Sequence, residues 1–196
     1  MIYIIQTDGV RYLHGDAKVI HNNDPKLGDI GAYHNIPVSS DRVTIFQGRR
    51  HLILPSYIDE SKIYHTVHTF EPSFMRQWIE SHPSYSSLLL EIESMIAAKM
   101  PEYTETIKTV NAGHEIYPHN MYSMPSAIFI KYRNWLEWAL QLIELPDKDK
   151  VGSLLAERLF TIWMKHNEDK YPHECVKACC YDKVTGECIN DTDGVA

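Results

Sequence analysis

The stretch from Lys150 to His166 constrains this chain more than any other. Placed on a helix at 100° per residue, Val151, Leu154, Leu155, Ala156, Leu159, Phe160, Ile162, Trp163 and Met164 occupy almost the whole circumference. A helix that is apolar on every side has to be enclosed by the rest of the domain. Into that surface the sequence sets two charges, Glu157 and Arg158. A buried charge is costly unless it is compensated, so something must offset both. Two roles meet that requirement. One is a structural ion-pair or hydrogen-bond network in the core; the other is a catalytic carboxylate with its orienting arginine.

The remaining composition narrows the class. A chain of 196 residues is long enough for one domain with a full core and short for two. Its apolar and charged fractions, 44% and 23%, are those of a globular protein. The net charge of −7, with no clustered Lys/Arg stripe, argues against sequence-independent nucleic-acid binding. The first residues lack a basic segment and turn polar at Gln6-Thr7-Asp8, so no secretory signal is expected. No apolar run is long enough to span a bilayer. A soluble, cytoplasmic protein is the expectation.

Cys175, Cys179, Cys180 and Cys188 all follow residue 170, with His173 beside them. Their spacing matches no paired C-x-x-C pattern, and vicinal Cys179-Cys180 is awkward for one tetrahedral ion. Zinc and a disulfide stay open, but reduced structural thiols are the expectation in a cytoplasmic setting. Residues 1–170 are read as one domain and residues 171–196 as a Cys-rich tail.

Short β-rich runs come first: Ile2–Ile5, Ala17–His21, Arg42–Phe46 and Leu52–Leu54, separated by Gly, Asn, Asp and Pro clusters. A short helix is expected near Asp29–Asn35. From Glu71 the pattern turns helical. Pro72-Ser73 starts a helix carrying Phe74, Trp78 and Ile79, and further helices are predicted over Ser86–Lys99 and Glu102–Val110. Ile116–Tyr117 and Met121–Met124 read as brief strands around a polar loop. Pro125–Ile143 is amphipathic, and the apolar helix follows. The predicted architecture is α/β, a small central sheet packed by helices, with a helix-rich C-terminal half.

Several blocks carry a resemblance. Asp29…Tyr33-His34-Asn35, Phe46-Gln47-Gly48-Arg49-Arg50, Tyr117-Pro118-His119-Asn120-Met121-Tyr122-Ser123-Met124, Tyr132-Arg133-Asn134-Trp135-Leu136 and Gly152…Leu155-Ala156-Glu157-Arg158-Leu159 occur in this order. The chain resembles a family of bacterial and viral glycosyltransferases of capsular and exopolysaccharide synthesis, long catalogued as a domain of unknown function. The likeness covers roughly residues 29–166 and is tightest from Tyr117 to Trp163. It implies a compact GT-A-like domain that takes a sugar from a nucleotide-diphosphate donor and passes it to a glycan or another hydroxyl acceptor. The chain departs from the family in a compressed N-terminal portion, in Gln47-Gly48 where the family has His-Tyr, and in the Cys-rich tail.

Glycosyl transfer requires charge stabilisation of a departing diphosphate and, with inversion, a base for the acceptor hydroxyl. Glu157 and His119 are the candidate catalytic residues. Asp8, Arg49, Arg50, Asn120 and Arg158 are the candidate donor-binding residues. The end of the strand Arg42–Phe46 carries Arg49 and Arg50 where many GT-A enzymes place an Asp-x-Asp metal motif; arginines there can supply bidentate phosphate contacts, or merely pair surface carboxylates. The literal Asp191-Thr192-Asp193 reads as a solvated turn, and Asp8 can equally be a turn residue of Asp8-Gly9. No metal ligand is assigned. If Mn2+ or Mg2+ is needed, His119 with Asp59 or Glu60 is the best set, and the ion is expected to be weakly held or dispensable. His65 and His68 at i, i+3 suit a metal only on a helix, and their strand-favouring neighbours argue against one. His119 can instead be structural. A non-catalytic nucleotide- or carbohydrate-binding module on the same scaffold is the alternative to an enzyme.

Overall fold

The structure is a computed structural model that describes residues 1–6, 17–21, 26–38, 41–47, 50–147, 150–181 and 188–191. Its elements run β1 (Ile2–Gln6), β2 (Lys18–His21), a 3-10 turn (Gly28–Asn35), β3 (Arg42–Gln47), β4 (Arg50–Leu52), β5 (Ile63–His65) and β6 (His68–Thr69). There follow α1 (Phe74–Ser81), α2 (Ser86–Lys99), α3 (Thr104–Ala112), β7 (Glu115–Ile116), β8 (Tyr122–Pro125), α4 (Ser126–Leu140) and α5 (Val151–His166). β9 (His173–Cys175), β10 (Ala178–Tyr181) and β11 (Cys188–Asp191) complete the order.

The architecture is mixed α/β, as predicted. Nine of the described strands form one sheet in the order β11-β10-β4-β3-β8-β5-β9, and β1 joins it through β3 while also pairing with β2. β3 is the hub: it pairs in parallel with β1 and antiparallel with β4 and β8. Arg42 to Phe46 are all buried, as expected of a strand covered on both faces. Alternation along the strands then separates two cores. Tyr3, Ile5, Val43 and Ile45 join the large core shared with the helices. Ile4 and Phe46 point the other way, into a small cluster with Leu52, Met121 and Ala178.

Ser73 caps α1 by accepting from the Arg76 backbone N–H at 3.3 Å, which satisfies one of the orphan donors at the helix start. α2 has the predicted bounds. α4 stops at Leu140, short of the expected Ile143. α5 is enclosed as its pattern demands: from Val151 to Met164 every residue is buried except Leu154 and Glu157. Those two lie i, i+3, so they share one face and mark the opening along this stretch, before Lys165 and His166 emerge at its end. Close packing at its start depends on glycine. Gly152 N–H donates to Lys26 O at 2.9 Å, and a Cβ there would sit 3.0 Å from Leu27 Cδ2 and 3.1 Å from Lys26 O.

Three differences from the sequence reading stand out. The expected strand Leu52–Leu54 begins earlier, at Arg50, because Arg50, His51 and Leu52 pair with Cys180, Cys179 and Ala178. Residues 173–191, read as a tail, supply three strands to the main sheet instead of forming an appendage. Cys179 and Cys188, expected as reduced thiols, are joined in a disulfide across the β10–β11 pair, while Cys175 and Cys180 are free. Among the described residues, no helix is long and apolar enough to cross a membrane.

Candidate functional site

Glu157 is the half-buried group at the opening of α5, and the fold gathers polar residues around it. The loop before β8 places His119 and Asn120 in consecutive left-handed conformations, φ 72° and 49°. Asparagine and histidine are both among the residues that enter that region more readily than most. Asn120 is locked in turn, its Nδ2 donating to Ser153 O and Ser153 Oγ at 3.0 Å each, and the Tyr33 hydroxyl donates to its carbonyl at 3.3 Å. This loop is thereby pinned to the first turn of α5. The His119 backbone N–H lies close enough to the Glu157 carboxylate to favour its charged form.

Charge is balanced tightly here. Burial pushes Glu157 up to about 7; the Arg158 guanidinium, the His119 N–H and Arg50 pull it down, and the negative charge of Asp29 pushes it up. The compensation is thus incomplete: Glu157, expected to be held ionised, is poised at neutrality. Asp29 comes from the 3-10 turn and accepts from Gln47 Nε2 at 2.6 Å at the end of β3. A carboxylate therefore does stand at the end of the central strand, delivered from a neighbouring turn. Sequence reasoning passed over Asp29 as a site residue although it opens the first of the resemblance blocks; no local motif marks it, because its partner Gln47 lies 18 residues on.

His119 is partly buried, and desolvation, then the nearby Arg50 and His68, hold its imidazole down to about 3, so it is neutral at ordinary pH. Its Nε2 is buried without a hydrogen-bond partner in the structure. Arg50, opposite Gln47 in the β3–β4 pair, acts electrostatically on both Glu157 and His119. Four of the expected residues, Glu157, His119, Asn120 and Arg50, are thus brought together, with Asp29 added.

The others fare differently. Asp8 and Arg49 lie outside the described residues, as do Thr192 and Asp193 of the literal Asp-x-Asp. Arg158 does not project into this group: it donates to Gln77 Oε1 and lies 5.0 and 5.4 Å from the ring centroids of Phe74 and Trp78. It packs α5 against α1, and only its charge reaches Glu157. Asp59 and Glu60 do not approach His119 either. Glu60 is salt-bridged to Arg42 at 3.2 Å, at the start of β3, whereas His119 lies toward the far end of that strand. No set of three metal-binding side chains surrounds Arg50 among the described residues. A cleft of about 410 Å3 between the 3-10 turn and α4 is lined by Leu27, Ile30, Tyr33, Arg133 and Leu136, and by none of Glu157, His119 and Arg50.

With this geometry established, known proteins can be compared. The profile of a family described as a domain of unknown function, DUF4422, matches residues 34–168. The chain belongs to the DUF4422 family. The matched span includes Arg50, His119, Asn120 and Glu157, and begins just after Asp29. In three dimensions this DUF4422 chain is similar to the apo structure of WbbM, a bifunctional glycosyltransferase, with a TM-score of 0.77 at 16% identity. The similarity covers 90% of this chain and 44% of that one, so the chain spans less than half the length of WbbM. At that identity what is shared is the fold. Comparison with curated proteins finds no match.

Proposed function

We propose that this DUF4422 domain is a glycosyltransferase that moves a sugar from a nucleotide-diphosphate donor to a hydroxyl acceptor, with Glu157 as general base. The observation that carries the reading is a carboxylate on the partly exposed face of a largely enclosed helix, gathered with His119, Asp29 and Arg50 and with its pKa raised to about 7 by burial. A base works best when its pKa lies near the working pH. Glu157 takes the acceptor hydroxyl proton as the acceptor oxygen bonds to the donor's anomeric carbon. The bond from that carbon to the diphosphate breaks, and the diphosphate leaves with the electron pair. The His119 backbone N–H favours the ionised carboxylate.

Arg50 is assigned to the diphosphate, where fixed positive charge stabilises the leaving group. Its proximity to Glu157 and His119 supports that placement. His119 stays neutral and Asn120 positions the loop; Arg158 acts on Glu157 at a distance and is withdrawn from the donor-binding set. Among the described residues, those around Arg50 offer no group of three metal ligands, and no step is routed through Mn2+ or Mg2+. The likeness to WbbM and the motif blocks extend the proposal to a GT-A-like enzyme acting on polysaccharide acceptors.

The test is nucleoside diphosphate release from a panel of nucleotide sugars with glycan acceptors, with and without chelator. Acceptor-dependent release that survives chelation supports the proposal. Nucleotide-sugar binding without turnover across the panel would instead identify a binding module.

A further inference from the structure

A second cluster of reactive side chains lies away from this site, where β9 joins β5. The two strands run in parallel with Ile63 opposite His173 and His65 opposite Cys175. Side chains two apart on a strand share a face, so His173 and Cys175 project together. His65 projects beside them from the next strand. One ligand atom from each of His65, His173 and Cys175 lies within 4.8 Å of the others.

We propose that His65, His173 and Cys175 form a binding site for a zinc-class divalent ion. The donor types fit: two imidazoles and a thiolate select borderline-soft metals such as Zn2+ or Co2+ over the oxygen-seeking Mg2+ and Mn2+. The tautomers also fit. His65 Nδ1 faces Thr66 O at 2.9 Å, and a carbonyl oxygen can only accept, so Nδ1 carries the proton. That leaves the lone pair on Nε2, which lies 3.0 Å from His173 Nδ1. A metal-binding histidine characteristically donates its other N–H to such a carbonyl, which fixes the ring and its ligating nitrogen. In the metal-free cluster His173 Nδ1 donates to His65 Nε2; to ligate an ion through Nδ1, His173 takes its other neutral tautomer, the hydrogen moving from Nδ1 to Nε2.

The surroundings hold the site in place and favour a cation. Tyr117 lies against His65 with ring centroids 4.1 Å apart, and Phe160 meets the same ring edge-on. Lys165 is engaged with Glu115 at 3.2 Å, Glu168 adds negative charge nearby, and Glu174 is itself paired with Lys62 at 3.0 Å. His65 is fully enclosed while Cys175 is exposed, so the side facing solvent is available for a fourth ligand, a water or an incoming molecule. Three protein ligands plus one open position is the arrangement in which zinc keeps an exchangeable site. Bound metal would also clip β9 onto β5.

Co2+ titration of the chelator-stripped chain tests the site. One Co2+ per chain should bind, with a thiolate-to-cobalt charge-transfer band, and Zn2+ should displace it. Cys175→Ser, an exposed position, should remove that band, and His173→Asn should weaken binding at least 10-fold. Cys180→Ser should leave both unchanged. Zn2+ should raise Tm in the parent and not in Cys175→Ser. Absence of a thiolate band in the parent, or its survival in Cys175→Ser, would overturn the proposal.

Discussion

At the scale of single residues, the balance around Glu157 matters most. Desolvation works against its charge; Arg158, the His119 N–H and Arg50 work for it, and Asp29 opposes them. On the proposed assignment Arg50 has two separable roles, one at the donor diphosphate and one at Glu157. Arg50→Ala should weaken nucleoside diphosphate binding by about 1.5–3 kcal/mol, roughly 10- to 150-fold in Kd by calorimetry. The same substitution removes a cation beside Glu157, so the pH at which turnover reaches half its maximum should move upward. Unchanged affinity would take Arg50 out of the donor site. Asn120 is a different kind of residue, tying a left-handed loop to Ser153 through two hydrogen bonds. Asn120→Ala should lower stability by about 1–3 kcal/mol in denaturant unfolding, because both Ser153 acceptors lose their donor.

At the scale of elements, α5 organises the molecule, and its N-terminal turn docks through contact with no space for a side chain. Gly152→Ala should cost about 1–3 kcal/mol, read as a lower Tm, since its new Cβ meets Leu27 and the Lys26 carbonyl. α5 itself was legible in the sequence because enclosure leaves an unmistakable apolar wheel, and α2 because Pro83 and Pro101 bracket it. Glu157 stood out as a charge interrupting that wheel, His119 by its place in a polar loop between two short apolar runs, and Arg50 as a basic residue at the end of a strand, the last two within the blocks that carry the resemblance. Asp29 was not legible, for its role is set by Gln47 across the fold. Nor were β5 and β9 to β11, short strands whose pairing is non-local and whose cysteines drew attention to metal and redox chemistry instead of to strand formation. The partner of Arg158 was hidden for the same reason: Gln77 belongs to another helix.

At the scale of the whole molecule, two acids whose pKa values are raised by desolvation act on stability. Glu93, enclosed and bonded to Asn111 at 2.8 Å, is raised to about 7 chiefly by burial, as Glu157 is. Near pH 6 the folded chain retains a proton that the unfolded chain, titrating near 4.5, has shed. Each such group therefore erodes stability as pH rises from about 4.5 to 7, by at most about 1.4 kcal/mol per pH unit. Glu93→Gln removes its share, so the stability of this variant relative to the parent should climb across that window and level off above it, as followed by urea unfolding at several pH values. A flat difference would mean that Glu93 is ionised in the folded state.

The central claim is that Glu157 serves turnover at a cost in stability, and one preparation of Glu157→Gln decides it. Transfer rate per folded molecule and Tm are measured together from pH 5 to 9. The parent's rate should rise with pH through about 7, as the carboxyl loses its proton. The variant should lose that limb and about 10²–10⁴-fold in rate, while its Tm at pH 8 equals or exceeds the parent's. Near-parent turnover with a lowered Tm would contradict the account and return Glu157 to a structural role in the core.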